Sequence, residues 1–128
     1  MKPILVDAGK TFVVNREINK DMYNLLESYP NKKILLTNAN DEQIEASGLI
    51  DLPYELFTLK HNPDKTDPKY FEILFEKYNL NAEDCIYFDH KKDAVDTAQS
   101  IGIISYFYDS DKRDLIKLKE FLDKYINS

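Results

Sequence analysis

Cysteine and glycine are scarce in this sequence and net positive charge is lacking, and each of these lacks is informative. Among 128 residues Cys85 is the only cysteine, so no disulfide can form within the chain and a reducing, cytoplasmic setting is expected. Acidic residues number 23 against 17 lysines and arginines, a formal net charge of -6. Nucleic acid is therefore not an expected partner, because nonspecific binding to it needs clustered positive charge. No apolar run approaches the roughly eighteen residues that mark a membrane span, so no membrane partner is expected either. After Lys2 the first apolar run stops early, at Asp7, which is not the pattern of a secretory leader. With only 3 glycines, each one carries information about backbone or space.

What remains is an ordinary globular composition, 43% hydrophobic and 31% charged, over a length expected to form a single domain spanning 1–128. Apolar runs of strand length recur at 4–6, 33–37, 55–59, 85–88 and 103–108. Helical periodicity fills the gaps. Met22, Leu25, Leu26 and Tyr29 share one face, as do Phe71, Leu74, Phe75 and Tyr78. Asp67 and Pro68 read as the cap and first residue of that second helix. Val95, Ala98 and Ile101 mark a helix closed by Gly102, and Leu115, Leu118, Leu122 and Tyr125 a last one. A weaker helix is expected over 41–47, stopping near Gly48. Alternating strands and helices predict an α/β, three-layer Rossmann-like fold: about five mainly parallel strands, with helices on both faces.

In such sheets ligands bind beyond the carboxyl ends of the strands, so the polar residues there matter most. The first strand ends at Asp7 in "DAGKT", the second at Thr37 in "LLTNAN" and the fourth at Asp89 in "FDHKKD". Lys65 stands in "KTDP", just before a helix. Taken alone, Thr37 reads equally as a capping residue, Lys65 as a solvated lysine and Asp93 as a helix cap. His90 reads as a loop residue rather than a ligand, with its place beside Asp89 allowing an indirect role at the site, and His61 and Cys85 read as structural.

Together, in the order Asp, Thr, Lys, Asp, these residues resemble the four motifs of the haloacid dehalogenase (HAD) superfamily over roughly residues 3–108. The resemblance implies a HAD-like hydrolase with Asp7 as nucleophile. Thr37, Asn38 and Lys65 would bind the phosphate, with Thr37 and Lys65 also assisting catalysis. Mg²⁺ would be held by Asp7, Asp89, Asp93 and the backbone carbonyl of Gly9. The chemistry is coherent on its own terms: a carboxylate attacking a phosphoryl group needs a hard cation with oxygen ligands to offset repulsion. The rest is positioning and charge stabilisation, followed by hydrolysis of an aspartyl-phosphate.

One position departs from the pattern. Two residues after the nucleophile, phosphatases of that family carry a second Asp as general acid; here Gly9 stands there, with Lys10 and His90 nearby but not equivalent. Such assistance is worth roughly 10²–10⁴ in rate. The expected activity is therefore a weak or specialised phosphatase acting on a phosphorylated small molecule or macromolecule. The alternative is a catalytically impaired binding or regulatory module. Dehalogenase or phosphonate chemistry, the other known consequence of losing that Asp, relies on cap domains, and no stretch here is long enough for one. A capless site is open, which implies a large substrate, a second protomer that closes it, or slow turnover. Receiver domains of phosphorelays use similar residues, but with the phosphorylated Asp in mid-chain, so the order here argues against them.

Overall fold

The computed structural model describes residues 1–126; the last two positions of the expected 1–128 domain lie outside the described residues. In chain order the elements are β1 (Ile4–Asp7), β2 (Val13–Val14), β3 (Glu17–Ile18), α1 (Lys20–Glu27), β4 (Lys33–Thr37), α2 (Asp41–Ala46) and β5 (Glu55–Thr58). There follow α3 (Pro68–Tyr78), a 3₁₀ turn (Ala82–Asp84), β6 (Ile86–Asp89), α4 (Lys92–Ser100), β7 (Ile104–Phe107) and α5 (Leu115–Tyr125). Five strands form one parallel sheet in the order β5-β4-β1-β6-β7. The first strand is therefore central, between the strands that end at Thr37 and Asp89.

Strand alternation assigns the faces. Ile4, Val6, Leu35, Ile86 and Phe88 pack with Met22 and Leu26 of α1 and with Leu118 and Leu122 of α5. Leu5, Ile34, Leu36 and Tyr87 pack on the other side with Tyr70, Phe71 and Leu74 of α3 and with Ala98 of α4. Burial of each such side chain is worth roughly 1.5–3 kcal/mol, which explains why every β1 and β4 position is buried. Because side chains alternate, Asp7 continues the row of Leu5, and Asp89 continues the row of Tyr87. Both acids therefore belong to the α3–α4 face, the side from which the segment before α3 approaches.

Local signals explain the ends of the helices. The Asp67 side chain accepts from Lys69 N at 2.9 Å with Pro68 opening α3, and Asn40 and Gln43 form a reciprocal capping box on α2. The helix α4 is capped differently from the sequence expectation. Its N-cap is Lys91, without a side-chain bond, and Asp93 lies in the first turn.

The β2–β3 hairpin was not expected. Its strands are two residues long, too short for periodicity, and its turn is Asn15-Arg16 rather than the telltale Asn-Gly. Both turn residues have positive φ, 51° and 68°, as a tight hairpin requires. Gly48 (φ +72°) packs against this turn; a Cβ there would sit 2.8 Å from the Arg16 carbonyl oxygen. The Arg16 guanidinium in turn donates to the carbonyls of Glu45 (3.1 Å) and Ala46 at the end of α2. Among the described residues this hairpin is all that stands between β1 and α1 above the site, and there is no cap domain. No described helix is long and apolar enough to cross a membrane.

Candidate active site

Three segments far apart in sequence meet at the carboxyl end of the central strands. The Lys65 ammonium donates to Asp7 Oδ1 at 2.9 Å and to Asp89 Oδ2 at 2.7 Å, with all three side chains almost wholly buried. Register brings the acids together, because β6 pairs with β1 from Ile4↔Ile86 onward. Asn38 brings the lysine. Its Oδ1 accepts from Lys65 N at 2.7 Å, which ties the loop before α3 to the end of β4.

The remaining oxygens are also engaged. Asp7 Oδ2 accepts from the buried Thr11 hydroxyl at 2.8 Å, from His90 N at 3.3 Å and from His90 Nδ1. Asp89 Oδ1 accepts from Lys91 N at 2.8 Å and lies 3.6 Å from His90 Nδ1, while Oδ2 also accepts from the Tyr87 hydroxyl. Lys65 thus bridges one oxygen of each acid, and the imidazole faces the other two. One ligand atom from each of Asp7, Asp89 and His90 lies within 4.8 Å of the others.

The two carboxyls are driven apart electrostatically. Burial pushes Asp7 upward, but Lys65 and His90 outweigh it and hold the group well below the usual carboxylate range. Burial and the adjacent Asp7 charge push Asp89 up to about 6, against the pull of Lys65. Burial alone would lower Lys65; the two acids instead keep its ammonium firmly protonated.

Of the other residues singled out in the sequence, Thr37 ends β4 beside Asp7, and its Oγ1 accepts from Ala39 N at 3.2 Å. Gly9 follows Asp7 in a turn closed by Lys10 N to Val13 O at 2.9 Å. Nothing lies within 4 Å of where a Gly9 Cβ would be, and its φ is not in the left-handed region. Asp93 is exposed and stands outside the Asp7–Asp89–His90 group. His61 is engaged elsewhere, with Asp64 at 2.8 Å and Gln43 at 2.5 Å.

Sequence reasoning missed two contributors and left a third open. Thr11 belonged to the "DAGKT" stretch without an assigned role. Tyr87 carried a signal, since a residue two before a strand-end acid shares its face. His90 had only its adjacency to Asp89, which left an indirect role at the site open. Tyr70, on α3, donates to Thr37 O at 2.8 Å and Phe57 O at 3.2 Å, bracing the ends of β4 and β5.

Beside Gly9 and His90 opens a cavity of about 630 Å³, bounded by the hairpin, Lys91 and the 110–113 loop. A second cavity, about 500 Å³, is lined by Lys2, Pro3 and Asn79 at the opposite end of the sheet, away from these groups.

No protein-family model and no curated protein matches this sequence. Solved structures do match its fold. An uncharacterized protein from Corynebacterium glutamicum superposes with a TM-score of 0.63 at 14% identity over 96% of each chain. A proposed phosphoglycolate phosphatase from Lactobacillus plantarum gives 0.62 at 17% identity, covering 80% of this chain and 53% of that one. A HAD family enzyme from Bacteroides thetaiotaomicron gives 0.59 at 18%, covering 79% and 56%. This chain thus spans about half the length of those last two proteins. The fold is HAD-like.

Proposed function

We propose that this protein is a divalent-cation-dependent phosphohydrolase, with Mg²⁺ the expected cation, acting through a phosphorylated Asp7. The observation that carries this reading is the buried Lys65 bridge between Asp7 and Asp89, with the other oxygen of each acid turned toward His90 Nδ1. Two strand-end carboxylates and one cationic group form a centre suited to a phosphoryl group and a metal ion.

The donor set fits a hard dication: Asp7 and Asp89 supply carboxylate oxygens, the Gly9 carbonyl is in the adjacent turn, and His90 adds a nitrogen. Asp93, in the first turn of α4, is exposed. When bound, the cation would offset the repulsion between the phosphoryl oxygens and Asp7. Lys65 balances the nucleophile and the phosphate together; the Thr37 hydroxyl and Asn38 hold phosphate oxygens. An Asp7 oxygen attacks phosphorus, and the bond to the leaving oxygen breaks with its electron pair going to that oxygen. Water then cleaves the acyl phosphate, releasing inorganic phosphate and restoring Asp7.

Gly9 offers no proton to the leaving group, so the substrates served best are acyl phosphates, anhydrides and aryl phosphates. Phosphoglycolate, the substrate in the name of one of the similar structures, is not carried over to this chain, which matches that protein at 17% identity. The open site admits a phosphorylated small molecule or macromolecule, or is closed by a second copy of the chain. The reducing cytoplasm is the setting consistent with a lone thiol at Cys85.

A second reading has its own support. Every oxygen of Asp7 and Asp89 already accepts a hydrogen bond, as in a settled ion cluster of a binding or regulatory module. Hydrolysis of acetyl phosphate separates the two. The phosphohydrolase reading expects cation-dependent turnover that Asp7→Asn abolishes; turnover no faster than in buffer favours the module.

A further inference from the structure

The cavity beside Gly9 is lined by Lys10, Arg16, Lys91 and Arg113, with Asp111 the single carboxylate among its lining residues. That is a local excess of positive charge in a chain of net charge -6. None of these four cations forms an ion pair among the described residues, whereas Lys60, Lys65, Lys92 and Lys119 all do. Arg16 is held by the carbonyls of α2, and Arg113 Nε donates to Ser110 O at 3.4 Å, so both guanidiniums are fixed by main chain rather than neutralised. The ammonium groups of Lys10 and Lys91 have no partner at all among the described residues.

The backbone holds three of these four charges in costly conformations. Lys10, Arg16 and Arg113 are all left-handed, with φ of 61°, 68° and 49°. For side chains with a Cβ this conformation costs of order 1–3 kcal/mol and persists where the surroundings demand it. The cavity also begins where an acid would otherwise stand, because the space beyond Gly9 is open.

Resting on the phosphohydrolase reading above, we propose that the substrate's leaving group carries a second oxyanion, a carboxylate or another phosphate, seated in this cavity against Lys10, Lys91 and Arg113. The cations then do by charge what the missing acid would do by protonation. As the phosphorus–oxygen bond breaks, the electron pair stays on the leaving oxygen, and the nearby positive charge stabilises it. A chain that is acidic overall repels such polyanions at a distance, and the basic cavity gives them a favourable local field.

The experiment compares phenyl phosphate, 3-carboxyphenyl phosphate and 1,3-phenylene bisphosphate on the full chain with Mg²⁺ at low salt. One or both esters with a second anionic group should show kcat/KM about tenfold above phenyl phosphate, the size expected from two partly exposed ion pairs. Lys91→Ala and Arg113→Ala should each pull that ratio toward one, and added salt should do the same. Which ester leads distinguishes a carboxylate from a phosphate. Ratios within about twofold of one in the wild type would overturn the proposal while leaving the phosphohydrolase reading intact. If no ester turns over, titration calorimetry with benzylphosphonate and 3-carboxybenzylphosphonate decides separately. Tighter binding of the carboxylated analogue, lost in Lys91→Ala, upholds the oxyanion cavity even though catalysis has failed; equal or absent binding overturns it.

Discussion

Lys65 Nζ lies 2.9 Å from Asp7 Oδ1 across 58 residues of sequence, and both side chains are buried. Two features fix this pairing: the position of β1 at the centre of the sheet, and the Asn38 bond that anchors the lysine loop. Removing the lysine while leaving both acids buried exposes what the ammonium was balancing. Lys65→Met should destabilise the fold by about 3–5 kcal/mol, the cost of orphaning a buried charge. Urea denaturation without added metal measures it, and a change under about 1 kcal/mol would show that the acids find other compensation.

Gly9→Asp is the complementary gain. The position has room for a Cβ and no left-handed backbone, so the variant should fold with an unchanged melting temperature. Turnover of alkyl phosphates should rise by roughly 10²–10⁴, with little change for p-nitrophenyl phosphate, whose leaving group needs no proton. Equal effects on both substrates would mean that the new carboxyl does not reach the leaving oxygen.

Cation affinity should follow the state of Asp89. Burial and the Asp7 charge push its carboxyl up to about 6, whereas Asp7 stays ionised throughout. A proton on Asp89 competes with the metal, so Mg²⁺ affinity should fall as the pH is lowered through about 6 and level off above it. Calorimetry from about pH 8 to about pH 5 tests this; a flat profile would remove Asp89 from the ligand set.

The chain has just 2 histidines, which makes His90 easy to interrogate. Pulsed EPR of the Mn²⁺-loaded protein should show coupling to an imidazole nitrogen, retained in His61→Ala and lost in His90→Ala. Bound Mn²⁺ without nitrogen coupling in the wild type would confine His90 to a hydrogen-bonding role on Asp7.

How much of this could be read beforehand depended on the reach of each signal. The five strands and the Asp67–Pro68 start of α3 follow from periodicity and local capping, which act over a few residues. The meeting of Asp7 and Asp89 followed from strand ends in a parallel sheet, whereas the place of Lys65 between them was implied only by the resemblance of the motifs. The hairpin at 13–18 was hidden because Asn15-Arg16 takes a left-handed turn without glycine, and its support from Gly48 is a contact between distant segments. Tyr87 and Thr11 escaped for the same reason: their hydroxyls are ordinary in sequence and become site groups only by where the fold turns them.

The central claim is that Asp7 is a nucleophile rather than a fixed member of an ion cluster. The most direct measurement is to mix the protein with acetyl phosphate and Mg²⁺, quench rapidly in acid and analyse the peptide containing residues 1–11 by mass spectrometry. The account predicts one added phosphoryl group on Asp7, removed by hydroxylamine and absent from Asp7→Asn. An unmodified peptide, from folded protein shown by calorimetry to hold Mg²⁺, would contradict it.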